Sequence, residues 1–156
     1  MERQAQSGFS WIELLIVLTI IGIIASIAIP NYRASRRAAN EASAQKSLRM
    51  LSSAESTYRR TAGSGSYGTV ASLANLNLVD GALSSGAKDG YNFTTGQSPA
   101  ASSSGFVMAA APVVWSGASA TGTREFCIDQ TGVLTKRIAT SQTVATSCAG
   151  FTAVGN

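Results

Sequence analysis

Two places in this sequence hold residue types on which chemistry could act. The first is Gly8-Phe9-Ser10-Trp11-Ile12-Glu13, where a short polar segment ending in glycine meets an apolar run with one carboxylate in it. Residues 9–29 number 21, and Glu13 is their only charge. As an α-helix such a run is about 31 Å long, enough to cross the hydrocarbon core of a bilayer. A secretory signal is cut behind its apolar stretch, whereas a cut between Gly8 and Phe9 falls in front of it and leaves the membrane segment on the mature chain. A carboxylate at a bilayer centre costs roughly 3 kcal/mol, but Glu13 sits only about 6 Å along the helix from Phe9, near enough to reach the interface. Two roles for it stand side by side. It is either a first-turn carboxylate favoured by the helix dipole and paired with its own chain's amine, or a charge kept in the span because it has work there.

The second place is the pair Cys127 and Cys148, in a domain rich in Ser, Thr and Gly. An even pair in that setting is the usage of an oxidising compartment and predicts one intrachain disulfide, holding to the third strand candidate a tail that burial alone would hold poorly. Elsewhere the usual chemistry is missing. The chain has no histidine, which removes the commonest general base and the imidazole ligand of most zinc sites. Asp80, Asp89, Glu125 and Asp129 are scattered, without paired or metal-loop spacing, and are expected on the solvated surface, with Asp129 as a turn former. There is no phosphate-cradling glycine motif. The reading is of a chain without catalytic residues, metal or cofactor.

The run GFSWIELLIVLTIIGIIASIAIPNY resembles the N-terminus of type IV prepilins and of the related type II secretion pseudopilins. Gly8 at the end of the leader, Phe9 as first mature residue, Glu13 at the fifth mature position and Pro30 near the end of the apolar stretch each fall on that pattern; the resemblance is specific over residues 8–32 and weak beyond about residue 60. It implies that the prepilin peptidase cuts between Gly8 and Phe9 and methylates the new Phe9 amine. It further implies a homo-oligomeric filament with other pilins as partners, in which Glu13 pairs with the Phe9 ammonium of a neighbour. The subunit would wait in the inner membrane with its C-terminal domain extracytoplasmic, then enter an extracellular pilus. Within the family the alternative is a type II secretion pseudopilin; outside it, a membrane-tethered binding module using Ser/Thr-rich loops. An ordinary signal peptide cut after Ser26-Ile27-Ala28 and a plain single-span anchor are the competing accounts of the run itself.

The elements that must position these residues follow from length and periodicity. A chain of 156 residues has room for one membrane segment and one modest domain. The parts are a leader (1–8), a membrane and filament-core helix (9–30), an amphipathic stem helix (31–60) and a C-terminal globular domain (61–156). Pro30 lacks an N–H and disfavours helix at Ile29, and Gly22 is a second weak point, so the long helix is expected to kink or lose hydrogen bonding there. Beyond it, Ala34, Ala38 and Ala42 form a shallow helix face, and Leu48, Leu51 and Tyr58 the face that holds the domain core.

The net charge of +4 is concentrated in the stem, where Arg33, Arg36, Arg37, Lys46, Arg49, Arg59 and Arg60 face only Glu41 and Glu55. That patterning reads as a solvated or subunit-facing side rather than direct nucleic-acid binding. The arginines just past the span oppose the proposed topology by the positive-inside bias; the cysteines and the leader favour it. Residues 61–66 read as a helix stop and flexible connector, and residues 70–75 as a short helix. Strands are expected at 90–95, 105–110, 125–129 and 133–138, the last two joined by a hairpin at Asp129-Gln130-Thr131-Gly132. Residues 96–104 and 116–123 read as exposed, variable loops, and Asn92-Phe93-Thr94 as a chance match to a glycosylation sequon. The fold expected is α+β: a long apolar helix, kinked near Pro30, packed on a small antiparallel sheet of about four strands.

Overall fold

The computed structural model describes residues 8–93 and 105–155. Residues 1–7 of the leader, the loop 96–104 and the end of the first strand candidate, Thr94 and Thr95, lie outside the described residues. The chain divides into two units, Met1–Ser35 and Arg36–Asn156. One helix, α1 (Trp11–Thr61), contributes to both.

In the first unit α1 continues through Gly22 and Pro30. Proline removes one N–H from the ladder, and a helix of 51 residues tolerates that loss. The loss of regular helix expected at Gly22 and Pro30 is therefore not seen in the single chain.

In the second unit the remainder of α1 joins α2 (Val70–Asn75), α3 (Gly81–Ser84) and six strands: β1 (Ala87–Lys88), β2 (Tyr91–Phe93), β3 (Val107–Pro112), β4 (Arg124–Asp129), β5 (Leu134–Ile138) and β6 (Thr152–Ala153). They form one sheet in sequence order, every neighbouring pair antiparallel. Six strands replace the four expected. The two additions are the outermost, and at two residues each they are too short to show alternation. β3 lies two residues later than expected, because Ala111 and Pro112 pair with Asn92 and Tyr91 of β2. The 129–132 turn forms as expected: Asp129 accepts the Thr131 N–H on Oδ1 at 2.9 Å, and Gly132 adopts φ +74° and donates to the Asp129 carbonyl. α2 also lies where it was expected, with Thr69 as its cap, accepting from the Ser72 N–H.

The core lies between α1 and the sheet. Ala44, Leu48, Leu51 and Ala54 recur every three or four residues and bury against Tyr91, Phe93, Met108, Phe126, Ile128 and Leu134, with Val70, Leu73 and Leu83 closing one side. Tyr58 is half-buried against this cluster, whereas Ala34, Ala38 and Ala42 are exposed.

Residues 61–66 are not a loose connector. The Ala62 and Gly63 N–H groups both donate to the Tyr58 carbonyl, and the Gly65 N–H donates to that of Arg59. The Arg59 guanidinium donates to the Gly65 carbonyl at 2.8 Å and lies over the Tyr67 ring. Gly63 is fixed by space: a Cβ there would stand 2.1 Å from the Ser66 carbonyl oxygen. Beneath this turn Glu55 is fully buried, its Oε2 accepting the Gly68 N–H at 2.9 Å while Oε1 has no partner among the described residues. Burial raises its pKa and the Gly68 bond only partly opposes this. Because the folded pKa is raised, Glu55 supports the fold at acid pH, and that support is lost as pH rises through the folded value. Glu55→Gln, which keeps the acceptor for Gly68, should therefore melt at the same temperature as the parent near pH 4 and at a higher one at neutral pH. Parallel pH–melting curves for the two proteins would contradict this.

Candidate functional site

The first candidate site is the junction before α1. Gly8, Phe9 and Ser10 precede the helix and are exposed, Phe9 at 76%. A Cβ added at Gly8 would meet nothing within 4 Å, so the folded chain itself does not require glycine there. The Ser10 N–H donates to Glu13 Oε2 at 3.3 Å, and the Leu14 N–H bonds the Ser10 carbonyl. This is one half of a capping box, Ser10 at the N-cap and Glu13 at the third helical position. The Ser-x-x-Glu spacing signals it in the sequence. In the single chain, then, Glu13 is held by its own first turn and no cation touches it among the described residues.

The helix that follows is long and apolar enough to cross a membrane, and none of its most apolar window, of mean hydropathy 2.8, is buried. The two hydroxyls of its apolar part are satisfied within the helix: Thr19 Oγ1 donates to the Leu15 carbonyl at 2.8 Å, and Ser26 Oγ to that of Ile23 at 2.7 Å. No side chain of residues 14–29 therefore needs water as a partner for a polar hydrogen, a condition that hydrocarbon imposes. A helix apolar all round is either a membrane span or the inside of an assembly. Gly22 has nothing within 4 Å of an added Cβ, so in the single chain it serves no packing.

The same segment carries the likeness to known proteins. The family described as Prokaryotic N-terminal methylation motif matches residues 3–29. A fimbrial protein of Pseudomonas aeruginosa is 63% identical over 30 residues, 19% of this chain and 20% of that protein. The fimbrial protein EcpC of Eikenella corrodens is 58% identical over 33 residues, 21% of this chain and 22% of that one. Type II secretion system core protein G of Aeromonas hydrophila is 32% identical over 59 residues, 38% of this chain and 41% of that protein. Residues 3–29 thus match a prepilin-type N-terminal methylation motif, and the similar proteins are fimbrial and type II secretion proteins. The chain spans about two fifths of the secretion relatives' length and one fifth of the fimbrial ones. No solved structure matches it.

The globular part of this pilin-like chain is tied to the stem by polar groups. Arg37 donates from Nε to the Ala120 carbonyl at 3.1 Å and from Nη2 to those of Gly117 and Ala118; Asn40 Nδ2 donates to the Thr121 carbonyl at 2.9 Å. Glu41 Oε1 accepts the N–H and hydroxyl of Thr123, and its Oε2 pairs with Arg124 at 3.3 Å. This corrects two expectations. The polar face of the stem is at these positions neither solvated nor free for a neighbour, and of the loop 116–123, expected to be exposed, residues 116–119 and 123 are so while Ala120 and Gly122 are buried. Gly122 admits no side chain, because a Cβ would fall 2.0 Å from the Tyr91 hydroxyl oxygen.

The scattered acids have structural partners. Asp80 caps α3 through the Leu83 N–H and pairs with Lys88 at 2.6 Å, and the Lys88 bond lowers its pKa. Asp89 accepts from Ser43 Oγ. Glu125 departs from its expected surface place: it is buried and takes Nε and Nη2 of Arg137 on Oε2, each at 2.7 Å. Cys127 and Cys148 are joined in a disulfide, 21 residues apart with their Cα atoms 5.5 Å apart. No cluster of three metal-ligating residues occurs among the described residues.

Proposed function

We propose that this chain is a structural subunit of a type IV pilus, cut between Gly8 and Phe9 by the prepilin peptidase, methylated on the Phe9 amine and polymerised through its N-terminal helix. The observation that carries the reading is a helix whose N-terminal part is apolar and unburied, entered through an exposed Gly8-Phe9 junction and carrying one carboxylate in its first turn. Such a helix has two stable environments, lipid before assembly and a sheath of identical helices after it, and burial in either is favoured by about 25 cal/mol per Å2 of apolar surface. The first is the inner membrane, with the globular domain extracytoplasmic, where the disulfide persists; the second is the extracellular filament. Glu13 sets axial register there by meeting the Phe9 ammonium of an adjacent subunit, since any other register leaves its charge buried and unpaired. In the filament the backbone between Gly22 and Pro30 loses regular helix, with neighbours shielding the freed groups.

The alternative is a type II secretion pseudopilin, and one observation favours it: the likeness to the secretion relatives extends over 59 residues against 30 to 33 for the fimbrial ones. The fimbrial identity, 63% over its 30 residues, is nearly twice the 32% of the secretion relative over its 59, and we give that the greater weight. A monomeric membrane-tethered binding module is the reading from outside the family, and it forms no polymer.

Electron microscopy of a sheared cell-surface fraction, with the N-terminal mass of its main protein, tests location, polymer and processing together. Surface filaments whose subunit begins at N-methylated Phe9 are expected. Loss of protein secretion without surface filaments in a deletion strain would select the pseudopilin, and absence of any polymer the tethered module. Gly8→Ala should leave the fold intact, there being open space at Gly8, yet sharply reduce processing. An exported subunit beginning at Met1 or Ile29 would overturn the assignment of the junction.

A further inference from the structure

We propose that the loop after β3 is a membrane foot: Trp115, with Val113 beside it and Ile138 at the same end of the sheet, rests in the interfacial layer of an anionic bilayer before the subunit assembles. The inference rests on the reading of the chain as membrane-anchored.

The apolar groups are exposed in the unit that contains them. Ile138 is 77% accessible, Trp115 40% and Val113 37%. β3 ends at Pro112, β4 begins at Arg124, and Arg124 pairs with Ile138 at the end of β5, so Trp115 and Ile138 leave the sheet at one end. β3 and β5 flank β4, which sets their backbones about 10 Å apart.

The loop that presents the tryptophan is held firmly. Arg37 reaches three of its carbonyls and Asn40 a fourth, while Thr121 Oγ1 accepts the Val114 N–H and donates to the Gly90 carbonyl. A run of Ser, Gly and Ala fixed this thoroughly displays one large side chain, and that side chain is the amphipathic type enriched at membrane interfaces.

The connection along the chain keeps the foot within reach of lipid. Arg37 is the second residue of its unit and follows Ile29, the end of the apolar run, by eight residues. Eight residues reach at most about 28 Å even when fully extended. Arg36, at the same entry point, is exposed and pairs with no carboxylate among the described residues, which suits an anionic headgroup. Three apolar side chains fall far short of the roughly 800 Å2 per partner of a stable protein interface. For a surface to which the span already tethers the chain they suffice, because the second contact is intramolecular.

The test uses the full chain in vesicles and exploits its two tryptophans, Trp11 and Trp115. Trp11→Phe leaves Trp115 as the sole reporter. In phosphatidylglycerol-containing vesicles its emission should be blue-shifted, protected from acrylamide and quenched by lipids brominated near the headgroup. Ile138→Asp in that background should lessen the bromolipid quenching while the protein still floats with the vesicles on its span. Trp115 that is quenched freely by acrylamide and not by bromolipid overturns the proposal with the anchor intact. Protection that rises with protein-to-lipid ratio and ignores bromine assigns the patch to a second copy instead, which also overturns it. Failure of the parent protein to float refutes the anchored reading and the foot with it.

Discussion

Glu13→Ala should reduce surface filaments by about a hundredfold or more while leaving membrane insertion and cleavage at Gly8 intact. The size follows from what is left behind: removing one member of a buried ion pair costs about 3–5 kcal/mol, because the partner charge stays buried without a counter-ion. Insertion should not suffer, since the substitution removes the span's only charge. The structure adds a competing explanation, because Glu13 also accepts the Ser10 N–H at 3.3 Å and so caps its own helix. Loss of a cap costs about 1 kcal/mol and frays one turn. Glu13→Gln separates the two, since glutamine serves in a capping box but carries no charge. Filament loss with both variants assigns the effect to the ion pair; recovery with Gln assigns it to the cap. Normal filament yield from Glu13→Ala would sink the interchain pairing.

What the sequence disclosed and what it hid divide along range. The long apolar helix was legible because nearly every residue of 9–29 is apolar, and the turn at 129–132 because Asp129 and Gly132 act on their immediate neighbours. Leu48 and Leu51 were legible from helical spacing. The partners of Arg37, Asn40 and Glu41 lie some 80 residues away, so nothing local told a clamp from a solvated face. Glu125 misled for the same reason: in its strand only the cross-strand pairing with Arg137 shows that it is inside. β1 and β6 are held by their neighbours rather than by any pattern of their own. The turn at 61–66 looked flexible from its Gly and Ser content, but its glycines answer close packing on Tyr58 and a φ of +92° at Gly65.

Cys148→Ser should lower the melting temperature of the globular part by roughly 10 °C, the shift given by about 3 kcal/mol in a domain of this size. The figure comes from the chain entropy released when a loop of 21 residues is opened. It is large here because little else holds the tail. None of residues 140–155 is buried; β6 pairs at only two positions, and Phe151 lies under the Arg137 guanidinium at 4.5 Å. Cys148 is the better site to change, because it is half-exposed while Cys127 is fully buried, where a serine hydroxyl would add a desolvation cost of its own. Reduction of the parent protein should reproduce the shift, and the same reductant should leave the variant's melt unchanged. Cleavage at Gly8 should proceed as before, since it is read at the other end of the chain, while filament yield falls with the stability of the subunit. Equal melting temperatures for parent and variant would show that β6 and the Phe151 contact secure the tail without the bridge.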